Sequence, residues 1–473
     1  MPSPKTSPLR AVPAVSRLLE DPTLRSVAER LGHGVAVAAA REVLNQTRLD
    51  LQMNRSKRAP DLDIKKLAAE AARLAEARIP DGVRRAINAT GVILHTGLGR
   101  AVLPEAVFTE IAAETRGYAL VELDADSGKR GRREAATAAL LKALLGCEDA
   151  TVVNNNAAAA LVTLAALARG REVIVSRGQL VEIGGGFRVP EVMAESGAKL
   201  VEVGTTNRTH LADFERAIGP ETAMLFLAHS SNFRMVGFTA EVGIADLVAL
   251  GKRRKIPVVF DIGSGNLLPE LAEELRNEPV VKEALDAGAA LVLFSGDKIM
   301  GGPQSGVIAG RASLIEKIRR HPLHRALRLD KLILRALETT LALYLDPVHR
   351  LESIPTLRML RRPLSELEAA AARLAAHIKE ACPALECATQ ADSSRLGSGS
   401  LPELDIPTCV VVIKHPHLPS KDLAQAFRAH TPPIITRIHK ERVLLDPRTL
   451  LDGEEAEIVK AAHKLAALPP PSV

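Results

Sequence analysis

The residues best suited to chemistry lie in 291–310, LVLFSGDKIMGGPQSGVIAG. An apolar run, Leu291 to Phe294, leads into Ser295-Gly296-Asp297-Lys298. A glycine-rich turn, Gly301-Gly302-Pro303-Gln304-Ser305-Gly306, leads out into a second apolar run, Val307-Ile308-Ala309. Both runs have the character of buried strands. A lysine at such a junction has its stem pinned by the strands, and glycines let backbone approach on its far side. Partial desolvation favours the free amine, which can attack a carbonyl. Pyridoxal phosphate (PLP) is the commonest cofactor such a Schiff-base lysine serves. A solvated hairpin lysine would read the same on this stretch alone.

Three other features fall at the ends of apolar runs earlier in the chain. Asn154-Asn155-Asn156-Ala157-Ala158 opens a helical pattern, whose free N–H groups can receive a phosphate. An ordinary asparagine cap is the alternative there. Ser231-Asn232 follows another strand pattern, where an amide could hydrogen-bond the cofactor's phenolic oxygen; a turn asparagine reads alike. Asp261 ends the run Val258-Val259-Phe260 and can pair with a protonated pyridine nitrogen, or cap a turn. The order phosphate turn, polar strand end, aspartate, lysine is the chain order of fold-type I PLP enzymes. A glycine-rich turn, Thr96-Gly97-Leu98-Gly99, ends on Arg100 and could hold an anion.

These residues need a frame. Between about 135 and 310 apolar strands alternate with helices, the pattern of a mostly parallel sheet covered on both faces, with its ligand at the carboxyl ends of the strands. The expected organisation is α/β: a disordered tail 1–12; an N-terminal helical domain 13–80; a large domain 81–330; a helical connection 331–380; and a small C-terminal α/β domain 381–473. The chain has 473 residues, 47% of them hydrophobic and only 2% aromatic. So few rings argue against base-stacking RNA modules. A net charge of +6 permits a polyanionic partner without requiring one. Cys147, Cys382, Cys387 and Cys409 form no CxxC pair and lack metal-ligand spacing, so no metal site is expected. Scarce cysteines, no signal-peptide core and no membrane-length apolar run predict a cytoplasmic protein without a membrane partner. Basic residues such as Arg25, Arg30, Arg41, Arg48, Lys65 and Lys66 are spread through 13–80, where charge alone describes a solvated face.

The chain resembles the bacterial selenocysteine synthases, the L-seryl-tRNA(Sec) selenium transferases, from about Val15 to Ala466. The resemblance rests on INATGVILHTGLGR (87–100), SRGQLVEIGGGFRVPEVM (176–193), HSSNFRMVGF (229–238), FDIGSGNLL (260–268) and FSGDKIMGGPQSGVIAG (294–310), with VSRLLEDP and LGHGVAVAAAREVLNQTR nearer the N-terminus. It implies a fold-type I PLP-dependent transferase whose N-terminal helical domain contacts tRNA, which reverses the reading from charge alone. Lys298 would carry PLP beside Asp297. Arg100, Arg325 and Arg328 would hold the phosphate of the selenium donor, selenophosphate. The substrate would be seryl-tRNA(Sec), and the protein a homo-oligomer with dimeric active sites, a decamer built from dimers being one such assembly. The implied reaction eliminates the seryl hydroxyl and adds selenium at Cβ. Shorter relatives lacking the N-terminal domain act on small substrates. Two alternatives therefore stay open: a PLP-dependent ammonia-lyase or β-lyase acting on a small amino acid, phosphorylated or not, and an RNA-binding protein with an inactive PLP fold.

Overall fold

The structure is a computed structural model, and it describes residues 8–53, 62–78, 82–183, 187–230, 233, 235–271, 275, 278–398, 401 and 404–466. Contacts divide the chain into two compact units, 1–85 and 86–473.

The first unit is helical. After a 3-10 turn, Pro8–Ala11, come helices Val15–Leu19, Pro22–Leu31, His33–Met53 and Ile64–Ala77. Asp21 and Asp63 cap two of them, each carboxylate accepting a backbone N–H two residues on, from Thr23 and Lys65 at 2.9 Å. Leu18, Leu24, Val27, Leu44 and Leu67 with a set of alanines form a core of its own. The small alanines let the helices approach closely, so this unit buries a core without aromatics. Arg30 pairs with Glu76 and Arg78 with Glu42, leaving Arg41 exposed.

In the second unit seven strands form the main sheet: β1 (Asp149–Val153), β2 (Glu172–Ser176), β3 (Lys199–Val203), β4 (Thr222–Ala228), β5 (Val258–Gly263), β6 (Leu291–Ser295) and β7 (Gly306–Gly310). Their spatial order is β1-β7-β6-β5-β4-β2-β3. The run β6-β5-β4-β2-β3 is parallel, while β7 lies antiparallel to both β6 and β1. Successive residues feed opposite faces: Val152 and Ile174 join one apolar cluster, Val153, Val173 and Val175 another. Two covered faces explain why β4 and β6 are buried at every position.

A smaller antiparallel sheet follows in the order Glu386–Ser394, Ile406–Lys414, Arg442–Leu445, Arg437–His439. Helices Leu364–Ala381, Ser420–Arg428 and Glu454–Ala466 bury Leu374, Phe427 and Ile458 in its core. The INATG stretch joins it here: Ile87–Asn88 pairs in parallel with Ile434–Ile435, and the N–H groups of Ile93 and Leu94 donate to the carbonyls of Arg395 and Leu396. Among the described residues no helix is long and apolar enough to cross a membrane.

Candidate active site

Lys298 stands three residues past the end of β6, as the lysine turn requires. Its surroundings are glycine because backbone fills the space. A Cβ on Gly265 would sit 2.5 Å from the Ser295 carbonyl oxygen, and its φ of +73° is a left-handed conformation that side chains disfavour. Lys298 and Asp297 are both buried, at 6% and 7% exposure. Burial pulls the Lys298 amine below its ordinary pKa, and Arg100 nearby adds to this, while Asp261 and Asp297 oppose it. The net direction is toward the free base.

Arg100 arrives from the segment 87–100. It has φ +65°, uncommon for a side-chain-bearing residue, and its N–H donates to the His95 carbonyl at 3.1 Å. The strained turn aims its guanidinium at Asp297, with Nη1 donating to Oδ2 at 2.7 Å. Asp297 is therefore the partner of Arg100, and both lie beside the lysine.

Asp261 ends its pairing with β6 at an irregularity, where Asp261 faces Leu293 but Gly263 faces Phe294. Such a bulge re-aims a side chain at a sheet's rim. A Cβ placed on Gly263 would meet Lys298 Nζ at 3.9 Å and Asp261 Oδ1 at 4.0 Å, so amine and carboxylate face one small space. Burial pushes the Asp261 carboxyl up to about 6, against the opposing effects of Asn156, Lys298 and His229.

The asparagine turn divides its labour. Helix Asn156–Ala168 starts here, and Asn155 is its cap, Oδ1 accepting the Ala158 N–H at 2.8 Å. The N–H groups of Asn156 and Ala157 lie in the first turn, before any intrahelical acceptor. The Asn154 N–H donates to the Leu327 carbonyl at 3.0 Å, turning it away from a phosphate role. Asn156 Nδ2 donates to Asp261 Oδ1 at 2.8 Å, and its own Oδ1 is buried without a hydrogen-bond partner. The side chain of Asn156 thus holds Asp261, while its backbone N–H stays in the first turn, where the sequence places a phosphate. Ser231 and Asn232 lie outside the described residues. Beside them His229 donates its N–H to the Asp261 carbonyl at 2.8 Å, and its Nε2 lies 3.0 Å from Oε2 of the buried Glu278. Glu278 carries no motif that could have announced it.

The expected convergence of Arg100, Arg325 and Arg328 is not found within one chain. Arg325 and Arg328 line a pocket of about 730 Å³ with residues 118–123, Arg130 and Arg133, while Arg100 is turned to Asp297. Their spacing of three was read as one helical face, but helix Pro322–Ala326 ends before Arg328. Missing from the sequence reading were Arg130, Arg133 and Glu122, which share that pocket.

The raised Asp261 carboxyl gives a stability prediction for the cofactor-free protein. Folded, it keeps its proton to higher pH than it does unfolded, so stability falls as pH rises from about 4 to about 6 and stays lower above that. The charged, partly buried carboxylate then costs roughly 1–3 kcal/mol. Asp261→Asn should raise the thermal midpoint at pH 7.5 and leave it nearly unchanged at pH 4. An equal shift at both pH values would assign the effect to packing.

Comparison with known proteins agrees with this geometry. The family profile described as L-seryl-tRNA selenium transferase matches residues 86–451, and the one described as selenocysteine synthase N terminal matches 9–48. The L-seryl-tRNA(Sec) selenium transferase of Methylocella silvestris is 47% identical over 448 residues, covering 94% of this chain and 95% of that protein. The protein of the same description from Desulfomicrobium baculatum is 43% identical over 463 residues, covering 98% and 100%. Among solved structures, D-glucosaminate-6-phosphate ammonia-lyase superposes with a TM-score of 0.55 at 21% identity, covering 81% of this chain and 96% of that one. The fold is that of the fold-type I PLP enzymes. Matched over most of its length by profile and by relatives alike, the chain belongs to the L-seryl-tRNA selenium transferase family.

Proposed function

We infer that the protein converts L-seryl-tRNA(Sec) to L-selenocysteinyl-tRNA(Sec), using PLP and replacing the seryl hydroxyl with selenium from selenophosphate. The observation that carries the chemistry is the buried Lys298 amine facing Asp261 across Gly263, at the carboxyl edge of a parallel sheet. The residues fit PLP. Lys298 supplies the amine for its aldehyde, Asp261 the carboxylate for its pyridine nitrogen, and the first turn of helix Asn156–Ala168 free N–H groups for its phosphate. The unpartnered Asn156 Oδ1 marks a polar space on the same side. When bound, PLP supplies an electron sink for the charge left at the seryl Cα.

The chain's own residues do the rest. Lys298, favoured as the free base by burial, takes the Cα proton. Asp261 must be ionised to meet the cofactor's nitrogen, and Asn156 orients it. Asp297 fixes Arg100 beside the lysine, where a guanidinium can orient an anionic group without competing for the proton. The pocket of Arg325 and Arg328 suits the donor's phosphate, since guanidinium forks bind its oxygens in pairs. Tyr118, Leu120 and Leu123 expose apolar surface on the wall of that pocket, as a chain that assembles with copies of itself would. A reaction on aminoacyl-tRNA belongs to the cytoplasm.

The direct test is incubation of the PLP-loaded protein with seryl-tRNA(Sec) and selenophosphate, then identification of the amino acid released from the tRNA. Selenocysteine is expected. Elimination from small serine derivatives with no change in seryl-tRNA would favour the lyase alternative.

The helical unit is assigned to tRNA. Because it has a core of its own, removing residues 1–85 should leave 86–473 folded and able to take up PLP while tRNA affinity is lost. In the full chain tRNA affinity should fall steeply as salt rises, because phosphate contacts release counterions. A truncated chain with undiminished tRNA affinity would overturn the assignment.

A further inference from the structure

The pocket that holds Arg325 and Arg328 has a feature the donor reading does not use. Its one carboxylate is already engaged by its arginines. Glu122 Oε2 accepts from Arg130 Nε at 3.1 Å and Nη2 at 2.5 Å, Oε1 accepts from Arg133 Nε at 2.9 Å, and Arg328 Nη1 stands 3.6 Å from Oε1. Four guanidiniums thus line a space containing one acid. The arginines hold the Glu122 carboxyl below its ordinary pKa, with the hydrogen bonds from Arg130 and Arg133 as the largest causes.

The cage is built rather than incidental. Leu123 and Arg130 pair across a short antiparallel turn, which brings the Glu122 and Arg130 side chains together. The Gly131 N–H donates to the Glu122 carbonyl and the Asp124 N–H to the Lys129 carbonyl, both at 2.9 Å, and Asp124 Oδ1 accepts the Ser127 N–H at 2.8 Å. Arg133 spans the two walls: its Nε goes to Glu122, and its Nη1 donates to the Leu329 carbonyl at 3.1 Å, next to Arg328. The Arg325 side chain, also in the lining, makes no hydrogen bond or ion pair among the described residues.

A carboxylate has two oxygens and one charge; a phosphoryl group has three free oxygens and up to two charges. Glu122 fills only part of what four guanidiniums can bind. We propose that Glu122 is an internal stand-in for the anion this pocket binds, a carboxylate that a phosphate-type dianion displaces from Arg133 and Arg328 and that returns when the dianion leaves. This rests on the reading of the pocket as the place of the donor's phosphate and adds Arg130, Arg133 and Glu122 to it. Two consequences follow from the charges. Any anion that uses these arginines must displace the same carboxylate, so Glu122 lowers the affinity of the pocket for all of them by a common factor. The returning carboxylate also competes with spent phosphate, so Glu122 speeds clearance of the pocket.

The test is equilibrium binding of inorganic phosphate and of nitrate to the full-length PLP-loaded protein, wild type and Glu122→Gln, by titration calorimetry at fixed ionic strength. Glu122→Gln should bind phosphate about tenfold more tightly, the scale of one charge-assisted hydrogen bond no longer contested. Nitrate affinity should rise by a similar factor, because either anion must displace the same carboxylate. Glu122→Asp, which keeps the charge on a shorter arm, should fall between the two; if Glu122→Gln does not fold, Glu122→Asp must still bind phosphate more tightly than wild type. Unchanged or weaker phosphate binding in these variants would overturn the proposal and make Glu122 a scaffold for the arginines. No tRNA or selenium donor enters the measurement. A failure of the selenium-transfer reading would therefore show in the product assay with the phosphate result intact, and a failure of the stand-in would show the reverse.

Discussion

Lys298→Ala is expected to leave a folded protein that neither holds PLP covalently nor turns over substrate. In the proposed reaction the lysine does two jobs: it supplies the amine that binds the cofactor's aldehyde, and the base that takes the Cα proton. Loss of a positioned base alone costs about 10²–10⁴ in rate, so the combined loss should exceed roughly a thousandfold. Borohydride treatment of the wild-type protein followed by peptide mapping should place the reduced cofactor on Lys298, and the variant should carry no label. A label on another lysine would refute the assignment. The fold should tolerate the change, because a buried amine is removed rather than added and Asp297 retains Arg100 as its partner.

Asp261→Asn is the second large effect, and its two outcomes have opposite sign. The substitution should stabilise the cofactor-free protein at neutral pH by removing a charge that burial disfavours. It should also cost about 10²–10³ in turnover, since a fixed charge opposite developing charge is worth roughly 3–4 kcal/mol. An asparagine can still accept from Asn156 Nδ2, so the geometry is kept and the charge alone is lost. Steady-state rates measured beside thermal midpoints would show the exchange directly. Near-normal turnover would mean that another group meets the cofactor's nitrogen. Trading stability for a charged, partly desolvated group is common where a site must be pre-organised.

The main sheet was legible because its strands are short apolar runs buried on both faces, a pattern that solvated elements do not produce. The lysine turn was legible for a related reason: two such runs separated by glycines leave few places for the residues between. Other parts were not, because they depend on distance along the chain rather than on local pattern. Nothing near Gly306 announces that β7 inserts between β6 and β1. Nothing near Asn156 shows that its side-chain amide belongs to Asp261, 105 residues away. Arg325 and Arg328 looked like one helical face because spacing is visible and a helix end at Ala326 is not. Glu122 stayed hidden because a lone glutamate in an apolar run has no signature until the arginines that surround it are seen. Asn155 did what its type most often does, and capped a helix.

The insertion of β7 has a consequence for how the protein is made. Among the described residues β1, which leads into the asparagine turn, pairs only with β7, and a Cβ on Gly306 would lie 2.0 Å from the Asn155 carbonyl oxygen, so the two turns close against each other. The asparagine turn and the lysine turn are therefore joined through the pairing of β7 with β1 and with β6. During synthesis β1 waits for more than 150 residues before its partner emerges, an ordering dominated by long-range closure and correspondingly slow. On the proposed reading of these turns as the PLP site, cofactor uptake is expected only after β7 has joined the sheet.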